Sequence, residues 1–224
     1  MIANNNNNNN NPHPIPAVPA VVKKAQQDGR DVEQAIVAQD IQGRSIHNDT
    51  VGPAGWTDET PEDFANFVKS LRPVDRTLLD KALPAFHVVT DDYVHVPIVD
   101  AFNWDETAQR LGKEAEGEWF IVAFRSVRKA DADKKLLFEA DARAQEEAVH
   151  SGGLLKYWYG DLNEHSECLA MCIWVNREYA LKATRKPLHM KAAKLASEMY
   201  ISYQLERYSL VKRAGETVFQ IQAL

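Results

Sequence analysis

The chain has 224 residues, 45% of them hydrophobic and 26% charged, which is ample for a real core and ordinary for a soluble globular protein. Its net charge of −6 excludes a global basic field toward nucleic acid or an anionic membrane, and no apolar run approaches the roughly 20 residues that span a bilayer. Cys168 and Cys172 give no disulfide framework, and the proline-broken stretch 15–22, followed rather than preceded by Lys23 and Lys24, does not read as a convincing signal peptide; a cytoplasmic protein is expected, with the nucleus left open.

Residues 4–11 are all asparagine, followed by Pro12, Pro14, Pro16 and Pro19. Such a stretch cannot bury enough apolar area to offset its ordering entropy, so 1–24 reads as a disordered tail. Residues 25–55 read as polar loop with a short helix at 31–41. Gly52-Pro53 marks a turn. An extension over 56–117 then packs on the main domain. Thr60 caps its first helix, Pro61 takes the first helical position, and Phe64, Phe67, Val68 and Leu71 recur at helical spacing until Pro73. A second helix fits 75–83 and ends at Pro84. Residues 86–90 and 93–99 read as strands around Asp91-Asp92, a candidate hairpin. Asn103 caps a short helix to Leu111, and Gly112 and Gly117 frame the next loop.

The part from 118 to 224 is clearer. A strand at 119–127 leads to a helix at 130–149, with Leu137, Ala140, Ala144 and Ala148 on one stripe and Gly152-Gly153 behind it. Strands follow at 154–159 and 168–175, joined by a turn. Asn176 caps a helix running to about Tyr200 and interrupted at Pro187, where the ring and the missing N–H break the ladder. A strand at 204–212 ends the unit, and 217–221 could add another. The order βαββαβ predicts an α+β, ferredoxin-like antiparallel sheet with two helices on one face. Its first and third strands should be central, and the runs 119–124 and 169–174 are the most apolar.

Side chains alternate between the faces of a strand. Sorting by parity gives one apolar set that should face the helices: Phe120, Val122, Phe124, Leu155, Tyr157, Tyr159, Leu169, Met171, Ile173, Tyr208 and Leu210. The other face, with Trp119, Ile121, Arg125, Lys156, Trp158, Cys172, Trp174 and Arg207, is too apolar for open water and too polar for a plain core. Either a second subunit lays its sheet there, making a dimeric α/β barrel, or residues 56–111 fold over it.

The stretches Glu118-Trp119-Phe120-Ile121-Val122-Ala123-Phe124-Arg125-Ser126, Ser151-Gly152-Gly153-Leu154-Leu155-Lys156-Tyr157-Trp158-Tyr159-Gly160 and Cys168-Leu169-Ala170-Met171-Cys172-Ile173-Trp174 resemble an uncharacterised family found mainly in fungi. The resemblance covers roughly 56–213 and implies no reaction. More loosely, the βαββαβ order with Trp174 ending the third strand and His189 in the next helix resembles the dimeric α/β-barrel superfamily. That group includes cofactor-free monooxygenases and haem-binding or haem-degrading enzymes, and the likeness is one of fold.

The candidate chemistry rests on few residues. Arg125, Lys156 and Arg207, with Trp158 and Trp174 as flat walls, could recognise a carboxylate, enolate or phosphate, or else be paired internally, for instance with Glu206. His189 shares a stripe with Ala193, Ala196 and Tyr200, where small side chains leave room for a ligand. It reads as a general base, an axial haem ligand or a hydrogen-bonded boundary histidine. Apart from that haem alternative no cofactor is expected. Cys168 and Cys172 lie four apart on a strand, roughly 13 Å between Cα atoms, and cannot share a metal; no metal site is expected. The third strand lacks the basic and aromatic pattern of an RNA-binding module. Two functions follow: a small-molecule site, enzymatic with Arg125 and His189 as the working residues, acting on an anionic or aromatic ligand on the open sheet face, or a non-catalytic interaction protein whose sheet face is an interface. The expected partners are a small molecule and, in the barrel arrangement, a second copy, with neither nucleic acid nor membrane.

Overall fold

The computed structural model describes residues 66–67 and 69–224; the expected tail, polar loop and first turn of the Thr60 helix lie outside them. Pro73 opens helix α1 (Pro73–Thr77), where a missing N–H costs nothing. Arg72 donates to the Asp75 carboxylate at 2.8 and 2.6 Å through its guanidinium and at 3.2 Å through its backbone N–H. The chain widens into a π turn, Leu78–Ala82, and tightens into a 3₁₀ turn at Leu83–Ala85, so the expected helix ends near Pro84 but is not uniformly α.

The expected hairpin over 86–99 does not form. Val88 makes a single antiparallel bridge to Phe102, the chain turns back on Asp92, whose carbonyl accepts from the N–H groups of His95 and Val96 at 3.0 and 3.2 Å, and α2 (Ile98–Ala101) follows. The apolar residues that suggested strands, Phe86, Val94 and Ile98, are buried anchors instead. Asn103 precedes α3 (Trp104–Leu111) without capping it by its side chain. Its amide accepts from the His87 N–H at 2.9 Å and donates to the Ala85 carbonyl at 3.0 Å, stitching the loop together.

Strand β1 (Gly117–Arg128), helix α4 (Lys134–His150), β2 (Leu154–Tyr159), β3 (Glu167–Trp174), helices α5 (Arg177–Thr184) and α6 (Pro187–Met199), β4 (Tyr200–Lys212) and β5 (Gln220–Ala223) complete the chain. The sheet order is β2-β3-β1-β4-β5, every adjacent pair antiparallel. This is the expected ferredoxin-like arrangement with β1 and β3 central; β5 pairs with β4, so β4 is not an edge. Asp133 caps α4 by accepting from the Leu136 N–H at 2.9 Å, and Asn176 caps α5 through the Tyr179 N–H at 3.1 Å. Gly153 has φ +88, and a Cβ there would lie 2.2 Å from the Tyr179 ring, so only glycine serves both the turn and the approach of α5.

Register decides the faces. Phe120 opposes Trp174 and Ser209, and Val122 opposes Cys172 and Arg207; directly paired residues share a face. The helix side therefore carries Phe120, Val122, Tyr157, Ala170, Cys172 and Trp174, packed on Ala142, Ala148, Ala180 and Ala183. The parity expectation holds for β1 and for Tyr157 and Tyr159. It is inverted for Leu169, Met171, Ile173, Tyr208 and Leu210, and a bulge between Leu154 and Lys156 turns Leu155 away from the helices. The reason is physical: both faces are buried, so apolarity along β3 carries no phase.

The second face is covered by the same chain. Leu78, Leu83, Phe86, Ile98, Phe102 and Trp104 pack on Trp119, Ile121, Trp158, Leu169, Met171, Ile173 and Leu210. Of the two coverings expected, the intramolecular one is present, and a partner sheet has no room on that face. Lys212, fully buried, fastens the cover: its ammonium donates to the carbonyls of Lys113, Ala115, Arg213 and Glu216 at 3.4, 3.4, 3.0 and 2.5 Å.

Candidate functional site

The residues expected to form one site are divided between the faces. Arg125 lies under the cover. Its Nε donates to Glu206 at 2.7 Å, and its terminal nitrogens donate to the carbonyls of Tyr93, Val94 and Val96. Trp158 is buried edge-on against Phe102 and Tyr93, with centroids at 4.9 and 5.2 Å. Lys156 is fully buried. Arg207 lies on the helix side of β4 and is exposed. Only Trp174 and His189 come together, in a cavity between the sheet and helices α4 and α6. The free space expected around Arg125 and Trp158 on the face opposite the helices is filled; the space that Trp174 and His189 share, about 130 Å³, is under the helices.

Two helical stripes make that cavity. On α4, Leu137, Asp141, Ala144, Gln145 and Ala148 recur at helical spacing; on α6, His189, Ala192, Ala193 and Ala196 do. The short alanine side chains leave space between the helices and the sheet, whose wall is Phe124, Tyr157, Tyr159, Ala170, Cys172 and Trp174. Tyr200 and Tyr203 of β4 line the remaining side, and Tyr203 is half exposed. Glu147 of α4 sets the position of α6. Its carboxylate accepts from the backbone N–H groups of Leu188 and His189, both at 3.0 Å, an acid at a helix N-terminus whose own N-cap residue, Lys186, makes no side-chain cap.

The cavity's polar groups are of two kinds. Asp141 is held: the Tyr157 hydroxyl donates to it at 3.0 and 3.1 Å. Burial pushes its carboxyl up to about 6, against the opposing pull of the Tyr157 hydrogen bond and the Arg128 charge. Gln145 Oε1 and His189 Nδ1 are buried and have no hydrogen-bond partner among the described residues. Burial lowers the His189 pKa, with Glu147 opposing, so its ring is neutral at pH 7. Beside the cavity, Arg128 donates to the Tyr159 hydroxyl and lies 5.9 Å from the centre of its ring. Cys168 and Cys172 are free, buried thiols, the Cys168 thiol pushed up to about 11 mainly by burial. Among the described residues no three His, Cys, Asp or Glu side chains are grouped to hold a metal. A cavity near the size of one that binds benzene has no room for a macrocycle, so the haem alternative for His189 does not fit.

Asp141 and Gln145 were missed by reasoning from sequence, although the signal was there: two polar residues in phase with an alanine-rich apolar stripe.

Residues 61–223 match the family described as PB2B2.08-like. The chain belongs to that family. UPF0643 protein PB2B2.08 of Schizosaccharomyces pombe is 31% identical over 147 residues, a match covering 59% of this chain and 66% of that protein; the chain thus spans slightly less than two thirds of that relative. Among solved structures, the chain is similar to protein SO0527 of Shewanella oneidensis (13% identity, 43% of this chain and 96% of that one, TM-score 0.38). It is also similar to a putative antibiotic biosynthesis monooxygenase of Nitrosomonas europaea (10%, 40% and 95%, TM-score 0.36). A third is SnoaB, a cofactor-independent oxygenase of Streptomyces nogalater (12%, 40% and 90%, TM-score 0.33). No helix among the described residues is long and apolar enough to cross a membrane.

Proposed function

We propose that this PB2B2.08-like protein binds a small organic molecule between its sheet and helices α4 and α6. The observation that carries the reading is the cavity itself, walled by aromatics and alanines, into which a buried amide oxygen and a buried imidazole nitrogen bring unused hydrogen-bonding capacity. Buried polar atoms without partners are rare in native proteins and call for an explanation; a ligand supplies it. Asp141, ionised at neutral pH yet protonated without great cost, suits proton acceptance from a bound hydroxyl, the chemistry a cofactor-free enzyme needs. The alternative of a non-catalytic interface describes the other sheet face, where the interface is internal to the chain.

The test is a thermal-shift screen of the full chain against neutral, cationic and anionic fragments, run beside Ala196→Leu, which fills the cavity from α6. Fragments that raise the melting temperature of the wild type and not of the variant support the reading. An absence of hits, or hits unchanged in Ala196→Leu, would overturn it.

A further inference from the structure

The cavity also has a charge and a size, and together these name a ligand class. Among the described residues its only acid is Asp141, and no lysine or arginine lines it. An anion entering there would lose its hydration and meet a carboxylate, while the Arg128 charge beside the cavity lies outside its lining and is already drawn on by Asp141 and Tyr159. A cation would find that single acid already engaged by the Tyr157 hydroxyl and by the charge of Arg128, with poor prospects of repaying its desolvation. A neutral ligand escapes both penalties. The free volume of about 130 Å³ is close to that of an apolar cavity that holds benzene, so one ring fits and fused rings do not.

The arrangement of acceptors adds a second constraint. Asp141 and Gln145 stand one helical turn apart on α4, about 5–6 Å between Cβ atoms. Gln145 is 94% buried, as its 6% exposure shows, and its Oε1 accepts nothing among the described residues. Two acceptors at that spacing suit two donors on non-adjacent carbons of a ring, with Trp174 and Tyr157 as flat walls. Resting on the binding role given above for this cavity, we infer that its ligand is a neutral, single-ring molecule with two hydroxyl groups in a 1,3-relationship, one donating to Asp141 and the other to Gln145. This narrows the anionic-or-aromatic expectation from sequence to the neutral aromatic side.

The probes are 1,3-dihydroxybenzene, phenol and benzoate, titrated calorimetrically into the full chain. Wild type should bind the diol about tenfold more tightly than phenol and should not bind benzoate. In Gln145→Met, which keeps the stem and removes the amide, the preference for the diol should collapse while phenol binding, held by Asp141, persists and reports an intact cavity. If Gln145→Met fails to fold, the wild-type ranking of the three probes decides alone. Benzoate binding as tightly as the diol, a diol preference that survives in Gln145→Met, or no binding of either phenol would overturn the inference. The binding reading above would still stand if other fragments are displaced by Ala196→Leu.

Discussion

Arg125 on β1 and Glu206 on β4 meet across adjacent strands at 2.7 Å, both largely buried, and Tyr208 donates its hydroxyl to the same carboxylate at 2.7 Å. The rest of the guanidinium is spent on the backbone of residues 93–96. Arg125→Met would leave Glu206 facing a methyl group and three carbonyls without donors. Removing one partner of a buried pair is costly, and Tyr208 recovers part of the loss. Denaturant titration should show a destabilisation of roughly 2–4 kcal/mol; a variant as stable as wild type would show that the pair contributes nothing.

Lys212 presents a second buried cation, held by backbone carbonyls alone among the contacts described above. Lys212→Met keeps the stem but strands those carbonyls, and each unsatisfied buried acceptor costs about 1–3 kcal/mol. The variant should lose about 3 kcal/mol or more, and Tyr208 and Trp119 beneath the cover should gain solvent access in hydrogen-exchange or quenching measurements.

The two faces of the sheet should respond differently to truncation. Ile173 is fully buried under the cover, and Ile173→Ala should cost about 3 kcal/mol. Phe124 is only partly buried and borders the cavity. Part of its surface has no packing partner to lose, so Phe124→Ala should cost about 1–2 kcal/mol. Equal losses, measured by urea unfolding, would mean the cavity side is as tightly filled as the covered side.

Asp141 sets a pH dependence. Its folded pKa of about 6 stands above the roughly 3.9 of an unfolded aspartate, so the folded state binds the proton more tightly. The stability linked to that proton is complete below about pH 4 and is lost as pH rises through about 6. Asp141→Asn, which still accepts from Tyr157, should be more stable than wild type at pH 7.5 by roughly 1–3 kcal/mol. That advantage should vanish near pH 4, as unfolding curves across the range will reveal.

His95 works in the same direction along the pH axis but higher on it, on the outer side of the cover. Its Nδ1 lies 2.5 Å from Asp92 and its Nε2 2.9 Å from Glu167. Only an imidazolium can donate to both; a neutral ring turns a lone pair toward one of them. These two hydrogen bonds raise its pKa. The contribution is full below the unfolded value of about 6.5 and disappears as pH climbs through the folded one. Melting temperatures between pH 6 and 9 should fall more in wild type than in His95→Gln.

Local chemistry was readable in the sequence, and relations between distant segments were less so. β2 begins and ends as expected, Asn176 caps its helix, and Pro187 divides it, because each depends on neighbours a few residues away. The face assignment of β3 failed because a strand buried on both sides has no polar phase to read. The supposed hairpin failed for a related reason: Phe86 and Ile98 are apolar because they share a core with Trp158 and the strands beyond it, not because they alternate in a ladder. The site suffered from both. With β3 inverted, Trp174 was grouped with Arg125 and Lys156, while the residues that share its cavity, Asp141 and Gln145, sat unremarked in an alanine-rich helix.

The cover lies upstream of everything it covers, and this bears on how the chain is made. Residues 78–111 leave the ribosome while β1 to β4 are still unsynthesised, and the Lys212 ammonium that closes on the Lys113 carbonyl arrives 99 residues later. At 5–20 residues per second, that interval is roughly 5–20 s. Until Leu155, Trp158 and β3 follow, Leu78, Leu83, Phe86, Ile98, Phe102 and Trp104 lack much of the sheet that buries them. The nascent protein is thus a natural client for chaperones that bind apolar segments, and slowing translation between Leu111 and Lys212 lengthens its most aggregation-prone moment.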